Sequence, residues 1–600
     1  MQLNIFAISK STMKHSYLFA LFALLLIPCM AFADSVTQEQ ALAKAVQFFM
    51  SGKGTRTTPR LEMVFDGETT TTRATTQPAF YVFNRTDASG FVIIAGDDVA
   101  APLIGYSHQN NFDANDIPDN LRWWLDEIRA TINDARDKGL APYYDQNIVN
   151  SSTEIVLQTA TWGQGTPYKN DCPLLNGTRC ITGCVQTAAA IICKYFKWPT
   201  DISGTVPAYT TSTEGIKVPE RTLSGYNFDL MPNSYKSGYT TAQAAEVARL
   251  MADLGSMTQA NYGTSATGAS TSKIPTSLAT YMRYNKGSRY LTKISFSDSE
   301  WITMLKAEID ANHPCIYKGN NITSGGGHAW VMDGYNSNGL IHFNWGWNGS
   351  SNGFFNISPT ASDKHNYANN QACAFDMIPD RDGTSNYTDL VMTSSTSNGA
   401  VKGLSTTATS FKQGDTFKAS FCAFNYGNTL YTGKIRLEHF SKNGEMKGAV
   451  SKEYSWTDVK INSGYSYNNS VACTITEPIR SGDYIAGVFW ERNKQRWEII
   501  RNRTDVPSRI ILMENLQISY EALRTTTSME FDRATRALKF TCDYPDVTFT
   551  LLNSTGSKIA SQTYQETPIT FDCSKLATGK YTVQVSHQEI STPITFTIVF

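Results

Sequence analysis

The sequence predicts an α+β fold over its first two thirds and β-sandwich modules over the remainder. Up to about residue 381, apolar residues recur at helical spacing in several segments, and short strand-like runs bounded by glycine alternate with them. From about residue 385, Ser, Thr, Asn and Gly become frequent and short alternating runs recur between turns, which is typical of β-sandwiches. A chain of 600 residues is also too long for one core, so roughly three or four domains are expected.

The composition is that of ordinary globular domains. Hydrophobic residues make up 41% and charged residues 18% of the chain. The formal net charge of -1 provides no basic field, so nucleic acid is not expected as a partner.

The first 33 residues have the pattern of a secretory signal peptide. Lys10 and Lys14 precede an apolar run over 17–27, and Ala31-Phe32-Ala33 forms a small-x-small cleavage site. The run is short for a membrane span, and no later segment has a spanning run. A lipid anchor at Cys29 is the alternative, but the proline before it fits that poorly. We expect an exported protein, secreted or held at the cell surface, with no stable membrane span.

Residues 34–150 are predicted to form a small α+β domain. A capping pattern of Thr37 and Gln40 opens a helix that runs to Phe49. Strands are expected at 79–84 and 90–95, and apolar residues recur at helical spacing over 121–132. The Trp123-Trp124 pair in that last helix is interpreted as core.

Residues 151–381 are predicted to form a second, larger α+β domain. Three helices are expected, at 184–197, 242–254 and 299–309. Three strands follow in a row, at 314–318, 328–335 and 340–345. The rest of the chain is divided into β-sandwich modules at 385–513 and 514–600.

The first candidate for chemistry is Cys184. It follows Gly183 and begins an apolar helix, where the positive end of the helix dipole favours thiolate over thiol. Thiolate is the nucleophilic form of cysteine. Gly183 leaves space for a substrate backbone, which makes it a predicted part of a substrate cleft.

A thiolate nucleophile needs a base that also protonates the leaving group. His328 begins an apolar strand after a glycine run that includes Gly326 and Gly327. The bare backbone around it indicates a cleft, so both glycines are included among the predicted cleft residues. By itself, a histidine at a strand start is more often structural.

The third group is expected from a hairpin. The turn at 336–339 should bring residues 344–348 back beside His328. There Asn344 is a candidate to orient the imidazole, Trp345 to cover it from water, and Trp347 to line the cleft. An ordinary hairpin with a Trp-Gly turn is the structural alternative.

An oxyanion donor is also expected. Gln164 lies between two glycines 20 residues before Cys184, and its amide together with the backbone N–H of Cys184 would form an oxyanion hole. A glutamine in such a place is otherwise a polar loop residue.

These segments together resemble the streptopain family of bacterial cysteine proteases, which includes interpain-type enzymes. The matching pieces are WGQGTPY (162–168), CP (172–173), GCVQTA (183–188), GHAWVMDGY (327–335), NWGW (344–347) and GFF (353–355). The resemblance implies a papain-like catalytic domain with Cys184 and His328 as its catalytic pair. In that family the third position varies, so Asn344 and Trp345 stay as alternatives. Lys169 and Asn348 depart from the family pattern.

The resemblance extends to the flanking domains. YVFN (81–84) and GFVIIAGDD (90–98) are similar to the family's inhibitory propeptide. This implies that residues 34–150 are the enzyme's own inhibitor, which blocks the cleft or holds His328 away from Cys184, and that autocatalytic cleavage falls between about 140 and 160. Residues 540–600 are weakly similar to C-terminal sorting modules of exported proteins, although the final residues lack the basic ending common in such modules.

The cysteines allow disulfides without defining them. All but one of the 11 follow the predicted signal peptide, and an exported protein permits pairing. If Cys184 is a free nucleophile, the remaining number is odd, so they cannot all pair within the chain. Cys172 and Cys180 are close enough in sequence to be linked.

The expected function is therefore a secreted cysteine endopeptidase, made as a zymogen, that cleaves proteins or peptides through an acyl-enzyme. No cofactor or metal is expected, because H-E-x-x-H and zinc-type cysteine spacings are absent from the sequence. The non-enzyme alternative is a surface adhesin with an inactive protease-like domain. One enzymatic alternative is a papain-like amidase or transferase. Another is a serine hydrolase, because residues 349–353 match the G-x-S-x-G pattern, but the serine hydrolase is disfavoured because this pattern lies in a polar loop.

Overall fold

The structure is a computed structural model, and it divides into two compact units, residues 1–387 and 388–600. It describes residues 33–51, 57–66, 77–148, 153–320, 327–360, 371–387, 389–395, 400–427, 431–457, 464–503, 506–512, 520–532, 535–542, 544, 547–564, 568–587 and 590–600. The predicted signal peptide therefore lies almost wholly outside the described residues. In the described part of the chain, no helix has the length and apolar character needed to cross a membrane.

The front of the first unit is the predicted small α+β domain. Its helices are α1 (Gln38–Met50) and α2 (Asp119–Asp137), and its strands are β1 (Leu61–Phe65), β2 (Phe80–Arg85), β3 (Phe91–Ala95) and β4 (Leu103–Ser107). The side chains of Thr37 and Gln40 form the capping box that the sequence predicts for α1. Helix α1 buries Phe48 and Phe49 in a core shared with β2 and β3.

The rest of the first unit carries the predicted larger α+β domain. Its helices are α3 (Cys184–Phe196), α4 (Thr241–Met257), α5 (Ile274–Tyr281) and α6 (Asp298–Asp310). Its strands are β5 (Glu154–Val156), β6 (Leu174–Leu175), β7 (Thr178–Arg179), β8 (Ser203–Val206), β9 (Tyr209–Thr210), β10 (Lys217–Val218), β11 (Arg221–Ser224), β12 (Arg289–Thr292), β13 (Cys315–Asn320), β14 (Gly327–Asn336), β15 (Ile341–Asn344), β16 (Gly353–Phe355) and β17 (Gln371–Phe375). Helix α5 was not predicted, because it is short and Pro275 in its first turn resembles a breaker, although proline is well tolerated there.

One antiparallel sheet runs through both parts of the first unit. Its strand order is β1-β2-β3-β4-β16-β15-β14-β13-β17-β12, with β5 also paired to β14. The two parts join where β16 pairs with β4, with Phe354 opposite Tyr106 and Phe355 opposite Gly105. The front domain thus extends the sheet that carries β13 and β14.

Helix α3 packs on one face of this sheet. Small residues of α3, such as Ala188 and Ala189, are buried in one core with Ile316 of β13 and with Ala329 and Val331 of β14. Because side chains alternate along a strand, His328 and Trp330 face the opposite side of the sheet from Ala329 and Val331. The short side chains of α3 let it lie close to β14.

The second unit consists of β-sheets with two separate cores, which agrees with the predicted sandwiches. The first group contains β18 (Val391–Thr393), β19 (Leu404–Thr406), β20 (Thr416–Asn425), β21 (Thr432–Phe440), β22 (Met446–Ala449), β23 (Tyr454–Thr457), β24 (Gly464–Thr474), β25 (Tyr484–Glu491), β26 (Arg496–Ile499) and β27 (Ile510–Ile511). Its sheets are centred on β20 and on the β21–β25 pair, around one core.

The second group is described from residue 520 onward, and the predicted boundary at 514 lies outside the described residues. It contains α7 (Tyr520–Thr526), β28 (Ser528–Asp532), β29 (Ala537–Thr541), β30 (Val547–Leu552), β31 (Lys558–Tyr564), β32 (Ile569–Asp572), β33 (Lys580–Ser586) and β34 (Ile594–Val599). Its sheets have the orders β28-β29-β32 and β31-β30-β33-β34 and enclose a second core. The sequence predicted the strands here but not the short helix α7.

Candidate active site

Cys184 is the first residue of α3. The preceding Gly183 has φ 91°, and a Cβ added there would lie 2.7 Å from both Gln186 Oε1 and the carbonyl oxygen of Thr267. Glycine is therefore required at the turn into the helix. The helix starts without a side-chain cap at Gly183, so the N–H groups of its first turn are left available to other acceptors.

The sulfur of Cys184 also contacts the neighbouring strand. The backbone N–H of Ala329 in β14 donates to Cys184 Sγ over 3.4 Å. Burial raises the pKa of the Cys184 thiol, while the N–H groups of Ala329, Cys184 and Val185 and the ammonium of Lys318 act in the opposite direction. Burial prevails, so the thiol is held in its neutral form in this structure.

His328 lies near the start of β14, in register with Gly319 of β13. Among the described residues, no hydrogen bond joins its ring to Cys184. The ring instead packs on the indole of Trp123, with 6.2 Å between ring centroids. Burial lowers the pKa of His328, and the carboxylate of Asp119 opposes this shift. This shift disfavours the imidazolium, just as burial disfavours the thiolate of Cys184.

Both groups that act on His328 come from α2 in the front domain. Trp123 is 8% exposed and lies directly over the bare backbone of Gly319, where an added Cβ would collide with its ring. Its indole is 6.1 Å from that of Trp330. Trp123 was predicted to be core, and it is buried, but its position against His328 makes it part of the site.

Two further residues of α2 anchor the helix near the site. Asn120 Nδ2 donates to the carbonyl oxygen of Trp345 over 2.6 Å. Trp124 packs on Trp345 and on Phe355, with ring centroids 6.4 and 5.0 Å apart. The front domain is thus attached to the hairpin region next to His328 as well as to His328 itself.

The predicted hairpin is present, but it places Asn344 and Trp345 away from the imidazole. Asn344 is in register with Val331, three residues beyond His328. Its Nδ2 donates to Thr159 Oγ1 and to the Ala160 carbonyl oxygen, both over 3.0 Å. Its Oδ1, the atom that would accept from the imidazole, instead accepts from the backbone N–H of Gly346 over 3.2 Å.

Trp345 is buried in an aromatic core rather than placed over His328. Its ring lies 5.0 Å from Trp330 and from Phe355, and its Nε1 donates to the Ser351 carbonyl oxygen. The residue of this segment that reaches the cleft is Trp347. The strand ends at Asn344, so Trp345 lies in the loop that follows β15.

The remaining predicted residues line one cavity of about 360 Å³. Its walls include Gln164, Cys184, Gly327, His328 and Trp347. Gln164 is 8% exposed, and its backbone oxygen accepts from the N–H of Thr182. Gly183 borders this cavity as the residue before Cys184, whereas Gly326 lies outside the described residues.

Two charged residues line the same cavity and were not predicted from the sequence. One is Lys318 of β13, and the other is Asp119 at the start of α2. A lysine directly after the apolar run 315–317 was the available signal for the first. No local pattern marked Asp119. In the part of the chain that the structure describes, no group of three or more His, Cys, Asp or Glu residues has the arrangement of a metal site.

Family models match three segments of the chain. Residues 162–355 match the peptidase C10 family, residues 33–132 match the Spi protease inhibitor, and residues 534–598 match a secretion system C-terminal sorting domain. The first match contains Cys184 and His328, and the second contains Asp119 and Trp123. The third covers most of the second group of strands in the C-terminal unit.

Individual relatives agree with these matches. The thiol protease/hemagglutinin PrtT of Porphyromonas gingivalis is 31% identical over 352 residues, which cover 56% of this chain and 40% of PrtT. The chain therefore spans well under half of that relative. Streptopain of Streptococcus pyogenes is 28% identical over 297 residues, which cover 46% of this chain and 73% of streptopain.

Two solved structures of Prevotella intermedia interpain A are also similar. The prointerpain A fragment is 28% identical, with 53% of this chain and 99% of that chain covered and a TM-score of 0.45. Active interpain A is 31% identical, with 38% and 95% covered and a TM-score of 0.34. On the family-model and streptopain matches, together with the order of the site residues, the chain belongs to the streptopain-like peptidase C10 family and carries a Spi-type inhibitor domain in front of its protease domain.

Proposed function

We propose that the protein is an exported cysteine endopeptidase made as a zymogen, with Cys184 as its nucleophile and His328 as its base. The observation that carries this proposal is that one cavity holds the sulfur at the start of α3 and the imidazole at the start of β14. A thiol at a helix start beside a histidine on a neighbouring strand is the arrangement that cysteine-type acyl transfer needs.

In the proposed reaction, the Cys184 thiolate attacks the carbonyl carbon of a peptide bond. The oxyanion that forms accepts hydrogen bonds from the Cys184 backbone N–H and the Gln164 side chain. The imidazolium of His328 gives its proton to the leaving amine, and the C–N bond breaks to leave a thioester. Water then attacks this thioester as His328 takes its proton, which releases the acid and restores the pair.

Latency follows from the contacts of α2. Trp123 packs on His328, and burial disfavours the charged form of both catalytic groups. We propose that residues 34–150 keep the enzyme silent by holding the imidazole on the far side of β14 from the sulfur. Release of α2 would free His328 to turn toward Cys184. The orienting and covering roles of Asn344 and Trp345 remain predictions for that released form.

Export is proposed from the two ends of the chain. Residues 1–33 would direct secretion, and residues 534–598 match a sorting domain of exported proteins. We propose that this module takes the enzyme out of the cell, where proteins and peptides would be its substrates and the cleaved front domain its inhibitor.

The test compares three forms of the purified full-length chain. The unmodified protein should process itself, cleave casein and react with a thiol-directed peptidyl inhibitor, whereas Cys184→Ala should do none of these. Cys193→Ala is the matched control, because Cys193 lies on the same helix but is buried in the core. Self-processing by pure Cys184→Ala, or absence of labelling and casein cleavage in the unmodified protein, would refute the proposal; the second outcome would favour the adhesin alternative.

A further inference from the structure

Lys318 places a positive charge beside the candidate nucleophile. In register, Lys318 is opposite Ala329, the residue whose N–H contacts the Cys184 sulfur. It shares a face of β13 with Ile316, which packs against α3. Its Cε lies 3.1 Å from the position of a Cβ added to Gly327. The side chain therefore runs along the cleft wall between Gly327 and Cys184.

The ammonium group of Lys318 has no acidic partner in the described part of the chain. No carboxylate there lies within 4.0 Å of its Nζ. Its side chain is partly buried, and burial lowers the pKa of Lys318 while the neighbouring Cys184 opposes that shift. A partly desolvated cation of this kind attracts an anion more strongly than a fully solvated one does.

The inhibitor domain supplies the carboxylate of this cavity. Among the described residues that line it, Asp119 is the one acidic side chain, and Lys318 and His328 are the basic ones. Asp119 belongs to α2, so it departs when the front domain departs. The cavity then loses its acidic side chain and keeps Lys318, so its charge becomes net positive.

From this change of charge, we propose that Lys318 is a specificity-determining residue that selects peptide substrates with an aspartate or glutamate side chain near the scissile bond. The inference rests on the proposed function and specifies its substrate class. After maturation, a substrate carboxylate would be the acidic partner that Lys318 lacks in the latent form. A cleft with one sign of charge also concentrates oppositely charged substrates.

The experiment measures kcat/KM of the self-processed enzyme on matched peptide pairs. Each pair differs only by Asp against Asn, or Glu against Gln, at one position on either side of the cleaved bond, so that charge changes while shape is kept. At one of these positions, the acidic peptide should be cleaved about tenfold better, because its carboxylate gains a hydrogen bond to a charged group. Added salt should reduce the preference.

Variants test whether Lys318 causes the preference for acidic peptides. Lys318→Met keeps the length of the side chain and removes its charge, so it should abolish the preference, and Lys318→Glu should reverse it toward lysine-containing peptides. Lys217→Met is the control, because Lys217 is an exposed lysine of β10 that does not line the cavity. It should keep the full preference.

The outcomes separate this inference from the proposed function. If the enzyme cleaves both members of every pair equally, or if Lys318→Met keeps the preference, the assignment of Lys318 is wrong while the protease remains. If no peptide is cleaved and Cys184 is not labelled by the peptidyl inhibitor, the proposed function fails, and the specificity assignment fails with it.

Discussion

Replacing Trp123 should release the enzyme from latency. Trp123 is almost fully buried between His328, Trp330 and Gly319, and it belongs to the inhibitor domain. Trp123→Ala removes that contact without touching the protease domain. Truncation of a buried tryptophan typically costs about 3–5 kcal/mol. If about half of this free energy weakens the attachment of α2, the population with α2 released rises by roughly tenfold to sixtyfold, since about 1.4 kcal/mol is a factor of ten.

The same contact can be weakened from the other side. Gly319→Ala would place a methyl group where the Trp123 ring lies, and such overpacking typically costs about 1–3 kcal/mol. Gly319 belongs to the protease domain, so this variant tests the contact without changing the inhibitor. Arg122→Ala is the control, because Arg122 is exposed on α2 next to Trp123.

The assay is the time course of self-processing by the freshly purified full-length chain, followed together with labelling of Cys184 by a peptidyl inhibitor. Trp123→Ala should process and label at least about tenfold faster than the unmodified chain, Gly319→Ala should also be faster, and Arg122→Ala should be unchanged. A folded Trp123→Ala zymogen that processes at the original rate would show that this indole does not restrain His328. Circular dichroism of each variant in the Cys184→Ala background verifies the fold.

Three further predictions concern pH, the helix start and the C-terminal module. Glu127 of α2 is 5% exposed, and burial, assisted by the charge of Asp126, raises its pKa to about 7. Its ionisation therefore opposes folding, and the free energy of unfolding of the latent form should fall by about 3 kcal/mol at most as the pH rises from about 4.5 through 7. In the Cys184→Ala background, Glu127→Gln should flatten the fall of Tm between pH 5 and 8. An equal fall of Tm with and without Glu127→Gln would contradict this. Gly183→Ala should lower activity at least about a hundredfold, because the residue has φ 91° and an added Cβ would press on Gln186 and Thr267; normal peptide turnover by this variant would contradict the assigned helix start. Deletion of 514–600 should impair export without changing kcat/KM of the processed enzyme, and unchanged secretion would remove the sorting role.

Local features of the site could be predicted from the sequence because they depend on neighbouring residues. A glycine before an apolar helix places Cys184 at the helix start, and the turn at 336–339 produces the β14–β15 hairpin. Helix α1 likewise begins at the capping box that the sequence contains. Each of these features involves residues only a few positions apart.

Features that depend on distant contacts could not be predicted in this way. The alternation of β14 places His328 on one face, but it does not say which element covers that face, and Trp123 comes from about 200 positions earlier in the chain. The pairing of β16 with β4 is of the same kind. Trp345 was expected over the imidazole, but its ring packs on Trp330 of β14 and Phe355 of β16, while Trp347 lines the cleft.

The most direct test of the Cys184–His328 pair is the site and rate of labelling in the processed enzyme. After reaction with a thiol-directed peptidyl inhibitor, mass spectrometry of the digested protein should place the adduct on Cys184 alone. His328→Ala should react at least about a hundredfold more slowly, because a positioned acid–base group typically contributes a factor of 10² to 10⁴. An adduct on another cysteine, or an equal rate in His328→Ala, would contradict the account.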